Sequence, residues 1–331
     1  MALDKPPALR LIDIDRAKGL AILLVVFGHV VARQPPADNE WYLIARHAVY
    51  AFHMAFFMFL SGVVFFLRAR PQADFQAFLA DVHKRFMRLM PAYFLFALIV
   101  FTGKWGAQAL VHVDNPVTGW EDLLKIVLFP MQSISSSLWY IYVLFLFSVL
   151  GLALLSMTRG RIWPLVALGV ALQFAPYIQF LGLGQFSKYF LFFALGGVTV
   201  AFWERYSYWV DRIWLPALAG LVWVLATEMY AGNGWLFAAL LSIPALHGLC
   251  RREFVGAGWL QFLGGMSFSI YLMNTIAIGA TKAVLLKFTS WDGLNFVVLF
   301  FPALLIAGIL LPVAFKKYVF PRMGWLNRIT N

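Results

Sequence analysis

Apolar residues run through this chain in long unbroken blocks. Stretches such as FALIVF (96–101) and LFFALGGVTVAF (191–202) do not alternate with polar residues, which excludes the period-two pattern of a membrane β-barrel. Each block has room for the roughly 20 residues that carry an α-helix across a bilayer's hydrocarbon core. The pattern predicts an all-α, polytopic integral membrane protein with about ten transmembrane helices, near residues 13–32, 47–67, 90–110, 137–157, 162–180, 188–204, 212–230, 235–250, 259–281 and 293–315. Residues 68–88 read as a separate short amphipathic helix, opened by Pro71 and closed by a basic cluster. Residues 111–137 read as a loop followed by an interfacial or re-entrant segment around Trp120 and Pro130. No polar stretch is long enough to bury a core of its own, so a single membrane-embedded domain over residues 1–331, without an appended soluble domain, is expected.

Composition agrees: 62% of residues are hydrophobic and 12% charged, with a mean hydropathy of +0.80, outside the range of soluble domains. The net charge of +11 would suit a nucleic-acid partner in a soluble protein, but in a polytopic one Lys and Arg report topology first. With ten spans both termini share one side, and that side collects 19 of the 26 basic residues, among them Lys5, Arg10, Arg16, Lys18, Arg68, Arg85, Arg88, Arg251 and Arg252. The opposite side holds Arg33, Arg46, Lys104, Lys125, Lys188, Lys282 and Lys287. The asymmetry predicts cytoplasmic termini, with membrane lipids and not nucleic acid as partners. The single cysteine, Cys250, excludes an internal disulfide and reads as a small apolar residue at a helix end; no metal site is expected. Val30-Val31-Ala32 has the form of a signal-peptide cleavage site, but Asp13 and Asp15 stand where a basic leader would continue.

Ionisable groups inside a span are costly and mark candidate function. Asp15, Lys18, Ile22 and His29 fall within an arc of about 60° on a helical wheel, and Lys18 to His29 is about 16 Å of rise. The spacing fits either a functional polar stripe or a structural Asp15–Lys18 pair with a hydrogen-bonded interior histidine. Arg16 points off that face, towards lipid phosphates. In the second span Arg46, Tyr50, His53 and Phe57 share a face, which lets His53 meet His29 across a hairpin and exchange protons with it, or else sit as an interfacial residue. Ser61 and Gly62 read as a close-packing site. Arg85 and Arg88, at i and i+3, present two guanidinium groups on one face, suited to phosphates or to headgroup and topology duties. Near the end, Ser267, Tyr271 and Asn274 form a polar stripe that suits a hydroxylated ligand or helix–helix hydrogen bonds.

The segments IDIDRAKGLAILLVVFGH, FHMAFFMFLSG, Arg85-Phe86-Met87-Arg88 followed by LMPAYF, LWYIYVLF and SFSIYL, in this order over nearly the whole chain, resemble the membrane-bound acyltransferase family 3, and most closely its fucose 4-O-acetylase-like branch. The resemblance implies a catalytic role for His29 and acyl-CoA handling by Arg85 and Arg88. Asp15 and Lys18 match the family's acidic-then-basic pair, where Arg is the commoner basic residue. Asn274 departs from the pattern, since many members carry histidine after YL. The resemblance implies transfer of an acyl group, acetyl above all, from acetyl-CoA as co-substrate to a hydroxyl of a carbohydrate acceptor, with no tightly bound cofactor. The acceptor would be a surface or secreted polysaccharide, or its lipid-linked precursor, at a bacterial inner membrane. His29 then acts as general base, with His53 beside it and Asp15 and Lys18 ordering the channel; an acyl-histidine intermediate is the other course open to it. Ser267, Tyr271 and Asn274 would contact substrate. The competing class is a multi-span transporter or flippase for a lipid-linked sugar; ion-coupled transporters place carboxylates at mid-membrane, where this chain offers only Glu228 near a span end besides Asp15.

Overall fold

The computed structural model describes residues 12–330 except 33, 110–112 and 114. Lys5, Arg10 and Arg33, used above to set topology, lie outside the described residues. All regular structure among the described residues is helical. In chain order the helices are α1 (Ile12–His29), α2 (Glu40–Tyr50), α3 (His53–Arg68), α4 (Phe75–Ala107), α5 (Glu121–Leu128), α6 (Trp139–Met157), α7 (Trp163–Leu172), α8 (Leu183–Ala201), α9 (Trp203–Ala226), α10 (Trp235–Cys250), α11 (Ala257–Leu285), α12 (Gly293–Asn295), α13 (Phe301–Ala314) and α14 (Gly324–Ile329). Each of the ten predicted blocks overlaps a helix, although block 162–180 holds only the ten-residue α7. Six helical segments are long and apolar enough to cross a membrane on that ground alone; α7 and α10 are shorter apolar helices. The chain is an integral membrane protein.

Burial separates centre from rim. In the α2–α3 segment 78% of the apolar window is buried, against 22% in α9, so α3 runs through the middle while α9 turns Val222 and Trp223, and α13 turns Ile306 and Leu310, outwards. Outward aliphatic and aromatic side chains suit a lipid surface.

Close packing at the centre depends on glycines. A Cβ on Gly62 would sit 2.1 Å from the carbonyl oxygen of Phe193, and one on Gly196 2.5 Å from the amide nitrogen of Val63, so α3 and α8 touch backbone to backbone, as expected for the Ser61-Gly62 step. The α1–α11 pair is tighter: a Cβ on Gly19 would lie 1.9 Å from the Leu260 oxygen, and one on Gly264 1.8 Å from the Asp15 oxygen. Without a hydrophobic drive between helices in lipid, such approaches carry association through van der Waals contact.

Three expectations need correction. Residues 68–88 are not a separate helix: α4 runs unbroken over 33 residues through Pro91, starting where Asp74 caps the Ala77 amide at 2.8 Å. At about 1.5 Å per residue it is roughly 50 Å long and outruns the hydrocarbon core. The second block is not one straight helix either, because a turn at Ala51 and Phe52, with Phe52 at φ −136° and ψ −28°, divides α2 from α3. Arg16 does not reach for lipid: it is buried and clamps Glu253 at 2.8 and 3.0 Å.

The segment around Trp120 and Pro130 folds back along α4. Trp120 packs on Trp105 with ring centroids 4.8 Å apart, yet the Ile126 carbonyl accepts from the Tyr93 hydroxyl at 2.5 Å, twelve residues back along α4 from Trp105. Thus α5 descends beside α4, and the chain returns to Lys104, whose ammonium reaches the Ile134 carbonyl at 3.3 Å. Lys125 beside Asp122, 2.8 Å away, and the Thr118 amide hold that carboxyl down to about 2.

Because nothing flexible faces the missing Cβ atoms, Gly264→Ala is expected to destabilise the folded protein by about 2–3 kcal/mol or more. Gly279→Ala on the same helix, where a Cβ meets nothing within 4 Å, is expected to be neutral or slightly stabilising. Unfolding curves of both variants in detergent check the contrast.

Candidate active site

The α1–α11 contact sets the geometry of the site. Asp15 and Gly19 straddle Leu260 and Gly264, a mean offset of 245 residues between parallel helices. Twelve residues further along each, at the same offset, His29 meets Asn274: Nδ1 of the imidazole lies 2.7 Å from the amide oxygen. The orientation of the amide follows from its other end. Its nitrogen donates to the carbonyls of Ile270 at 2.9 Å and Tyr271 at 2.8 Å, so Oδ1 is the atom turned to the histidine. An amide oxygen only accepts, so Nδ1 of His29 carries the proton and Nε2 keeps its lone pair. His29 is half-buried, and Nε2 has no hydrogen-bond partner among the described residues. Asn274 itself is fully buried.

The end of α1 is held by α2. Helix C-termini leave carbonyls without intrahelical partners, and here side chains at i, i+4 and i+8 reach them: Tyr42 donates to the Phe27 carbonyl at 2.7 Å, Arg46 to that of Val31 at 2.9 Å and Tyr50 to that of Gly28 at 2.9 Å. Gly28 is small of necessity, since a Cβ there would lie 2.4 Å from the Tyr50 ring. Tyr50 in turn stacks on His53, centroids 4.9 Å apart. His53 is buried with Nδ1 donating to the Val49 carbonyl at 2.9 Å, which gives it the same tautomer as His29. His29 and Lys188 are both within electrostatic reach of His53.

Tyr271 and Ser267, the other members of the stripe, are engaged with protein. The Tyr271 hydroxyl donates to the Ser137 carbonyl and accepts from the Tyr140 amide at 3.2 Å, satisfying one of the free amides at the start of α6. Ser267 donates to the Gly264 carbonyl at 2.8 Å, about 10 Å of helix away from Asn274. The Tyr140 hydroxyl and Ser61 meet at 2.6 Å, which carries the polar chain from α11 through α6 to α3.

Asp15 and Lys18 pair with each other at 3.2 Å but lie about 21 and 16 Å along α1 from His29. The arginines are at that same end: His53 to Arg68 spans fifteen residues of α3, about 22 Å, and Arg68 and Arg85 act electrostatically on Arg88. Arg85 is engaged, donating to Asp81 at 3.0 and 3.1 Å and resting 4.4 Å over the Phe65 ring. Arg68 and Arg88 are exposed and have no carboxylate partner among the described residues.

Two features had no counterpart in the sequence reading. One is a half-buried assembly around the buried His247 at the arginine-rich end: Asp13 accepts from Arg251 at 2.9 Å and meets His247 at 3.3 Å, His247 meets the Tyr206 hydroxyl at 2.7 Å, and Arg251 forks onto Asp211 with two 2.9 Å bonds. It ties the start of α1 to α9 and α10. The other is Lys188, half-buried, whose ammonium lies 4.5 Å from the Trp235 ring centroid and 5.4 Å from that of Tyr189. Cation–π contacts of this kind contribute about 0.5–2 kcal/mol. Its place on the apolar α8 was the available signal.

Against known families, a model described as an acyltransferase domain, of the acyltransferase 3 family, matches residues 11–317. The chain belongs to the acyltransferase 3 family. Among curated proteins, a 250-residue stretch is 25% identical to Nodulation protein NolL of Mesorhizobium japonicum, covering 71% of this chain and 54% of that protein. The acyltransferase 3 chain thus spans about half the length of that relative. No solved structure matches it. Within this acyltransferase 3 bundle, Asn274 gives Nδ1 of His29 a fixed acceptor.

Histidine-labelled protein is expected to show His29 as the Nδ1–H tautomer by ¹⁵N NMR, and Asn274→Ala to show mixed tautomers at His29 with His53 unchanged.

Proposed function

We propose that the protein transfers an acyl group, acetyl above all, from acyl-CoA to a sugar hydroxyl, with His29 as general base. The observation that carries this reading is the fixed His29 tautomer, in a member of an acyltransferase family, at the end of the bundle away from unpaired arginines. Arg68 and Arg88 would take the donor's phosphates, with Arg85 held beside them by Asp81. The thioester arm then extends lengthwise past Asp15 and Lys18 towards His29, because about 22 Å separates the two ends. Nε2 accepts the proton of the acceptor hydroxyl as its oxygen attacks the thioester carbonyl; the C–S bond breaks as the tetrahedral intermediate collapses, and the proton on Nε2 returns to the departing CoA thiolate. Acetyl-CoA is a co-substrate and no tightly bound cofactor takes part. Asn274 acts by positioning His29, and Tyr271 by joining α11 to α6, while Ser267 bonds a carbonyl of its own helix.

The arginine-rich end faces the cytoplasm, where acyl-CoA is made, and with it both termini; the membrane is the bacterial inner membrane. The acceptor is a carbohydrate on a surface or secreted polysaccharide or its lipid-linked precursor, in keeping with the fucose 4-O-acetylase-like sequence features. Glu228, the carboxylate that an ion-coupled transporter would have used, stands in the turn beyond α9 at φ 53°, which favours the enzyme over the transporter.

In reconstituted protein with radiolabelled acetyl-CoA, His29→Ala is expected to lower transfer by about 10²–10⁴-fold with an unchanged unfolding midpoint. Arg68→Ala/Arg88→Ala is expected to raise the KM for acetyl-CoA about tenfold or more while kcat holds. Full turnover in folded His29→Ala would overturn the base, and a wild type that binds no acetyl-CoA would overturn the donor.

A further inference from the structure

We propose that Lys188 is a recognition residue for an anionic acceptor, so that the sugar acylated here carries a carboxylate or a phosphate. The proposal rests on the acyltransferase reading for the word acceptor, and on four observations for the site. First, the ammonium of Lys188 has no carboxylate partner among the described residues, although it stands on a helix of the membrane bundle. Its only neighbours of opposite polarity are ring faces, at 4.5 Å for Trp235 and 5.4 Å for Tyr189, and these leave the three N–H donors of the ammonium without acceptors. Second, the rings form a platform: Tyr189 stacks on Trp139 with centroids 5.5 Å apart and planes 25° apart, and Trp235 meets Tyr189 edge-on at 6.1 Å. Sugar rings lay their C–H faces on such aromatic surfaces, and a cation at the rim then selects those that bear negative charge. Third, Lys188, Trp139 and Trp235 are only half-buried, so part of each is accessible from outside the bundle. Fourth, the platform belongs to the histidine end of the bundle: the contacts of Gly62 with Phe193 and of Gly196 with Val63 set α3 and α8 side by side in a register that brings Lys188 level with the first turn of α3, where His53 stacks on Tyr50, and Tyr50 is bonded to the carbonyl of Gly28, the residue before His29.

The donor's phosphates are not the anion in question, since the arginines that would take them lie at the opposite end, about 22 Å away along α3. Lys188 touches neither of the groups that exchange protons in the proposed reaction. It acts on which acceptor is held, and its loss falls on acceptor affinity.

The test is binding to wild-type protein, Lys188→Met and Lys188→Arg in lipid nanodiscs, read by tryptophan fluorescence. Tetragalacturonate is compared with neutral galactotetraose as the carboxylate arm, and galactose 1-phosphate with galactose as the phosphate arm. The wild type is expected to favour the charged member of at least one pair by tenfold or more, with the preference fading as salt is raised. Lys188→Met is expected to lose that preference and Lys188→Arg to keep it. Equal binding of charged and neutral sugars by the wild type, no binding of either, or a preference that survives in Lys188→Met overturns the proposal. The salt dependence is read on the wild type alone, so a variant that fails to fold does not shield it. Acetyl-CoA binding in the same samples is expected to be unchanged by Lys188→Met; its absence from the wild type would sink the acyltransferase reading and leave the sugar preference to decide this one.

Discussion

The contact on which this bundle depends is the one between two backbones, at Gly19 against Leu260 and Gly264 against Asp15. Helices that touch through glycine have almost no freedom to slide, because a ridge of carbonyl oxygen on one sits in a notch on the other. A shift of one residue would bring a side chain to the place where only a hydrogen fits. That rigidity fixes the register of α1 against α11, and the register carries a polar pair, His29 and Asn274, to the same height about 18 Å away. A hydrogen bond across that distance from the fulcrum is sensitive to any rotation of either helix. The side chains of Tyr42, Arg46 and Tyr50 then secure the free end of α1 from the other direction. The histidine is therefore held at both ends of its helix, by packing at one and by hydrogen bonds at the other.

Much of this was legible in the sequence, for reasons that separate cleanly. Apolar blocks about a bilayer long gave the helices their places, and the helical period placed Tyr271 and Asn274 on one stripe facing inwards. Register between distant helices is different in kind. Nothing local in GGMSFSIYLMNT says that Gly264 will face Asp15, so the partnership of Asn274 with His29 was out of reach although both residues had been singled out. The break at Ala51 and Phe52 was equally hidden: no proline or glycine marks it, and its stabilising interactions are a long-range bond to α1, Tyr50 on the Gly28 carbonyl, and a local bond across the break, His53 on the Val49 carbonyl. Arg16 was misjudged because its partner, Glu253, lies 237 residues away. The basic cluster ending at Arg88 was over-weighted as a helix end, since α4 carries its charged first half straight on into the apolar span through Pro91.

Asparagine at position 274 has a chemical consequence for the proposed reaction. Many relatives in the resemblance carry histidine there, and a soluble histidine base often leans on a carboxylate. In a membrane an extra carboxylate is expensive, and an amide fixes the tautomer with no charge at all. The cost is that Asn274 offers the imidazolium only a dipole when Nε2 takes a proton. A weakly supported imidazolium is a poor resting state, so proton removal from the acceptor and attack on the thioester are coupled most favourably in one step, with the proton handed on as the thiolate leaves. This also weighs against an acyl-histidine, which would need His29 to act as a nucleophile through the same nitrogen that the acceptor's proton requires.

The two ends of the bundle divide the work by polarity. At one end, unpaired Arg68 and Arg88 stand beside the closed network of Asp13, His247, Arg251 and Asp211, whose charges are satisfied internally and so fix the start of α1 without competing for phosphate. At the other, hydrogen bonds to backbone carbonyls consume Tyr42, Tyr50, Tyr271 and Asn274, while Nε2 of His29, Nε2 of His53 and the ammonium of Lys188 have no hydrogen-bond partner among the described residues. Between them α1 presents Ile22, Val25 and Val26, all buried. In the proposed reaction this separation places the charged tip of a long, thin donor at the arginines and its thioester at the histidine, with an apolar stretch of α1 between them.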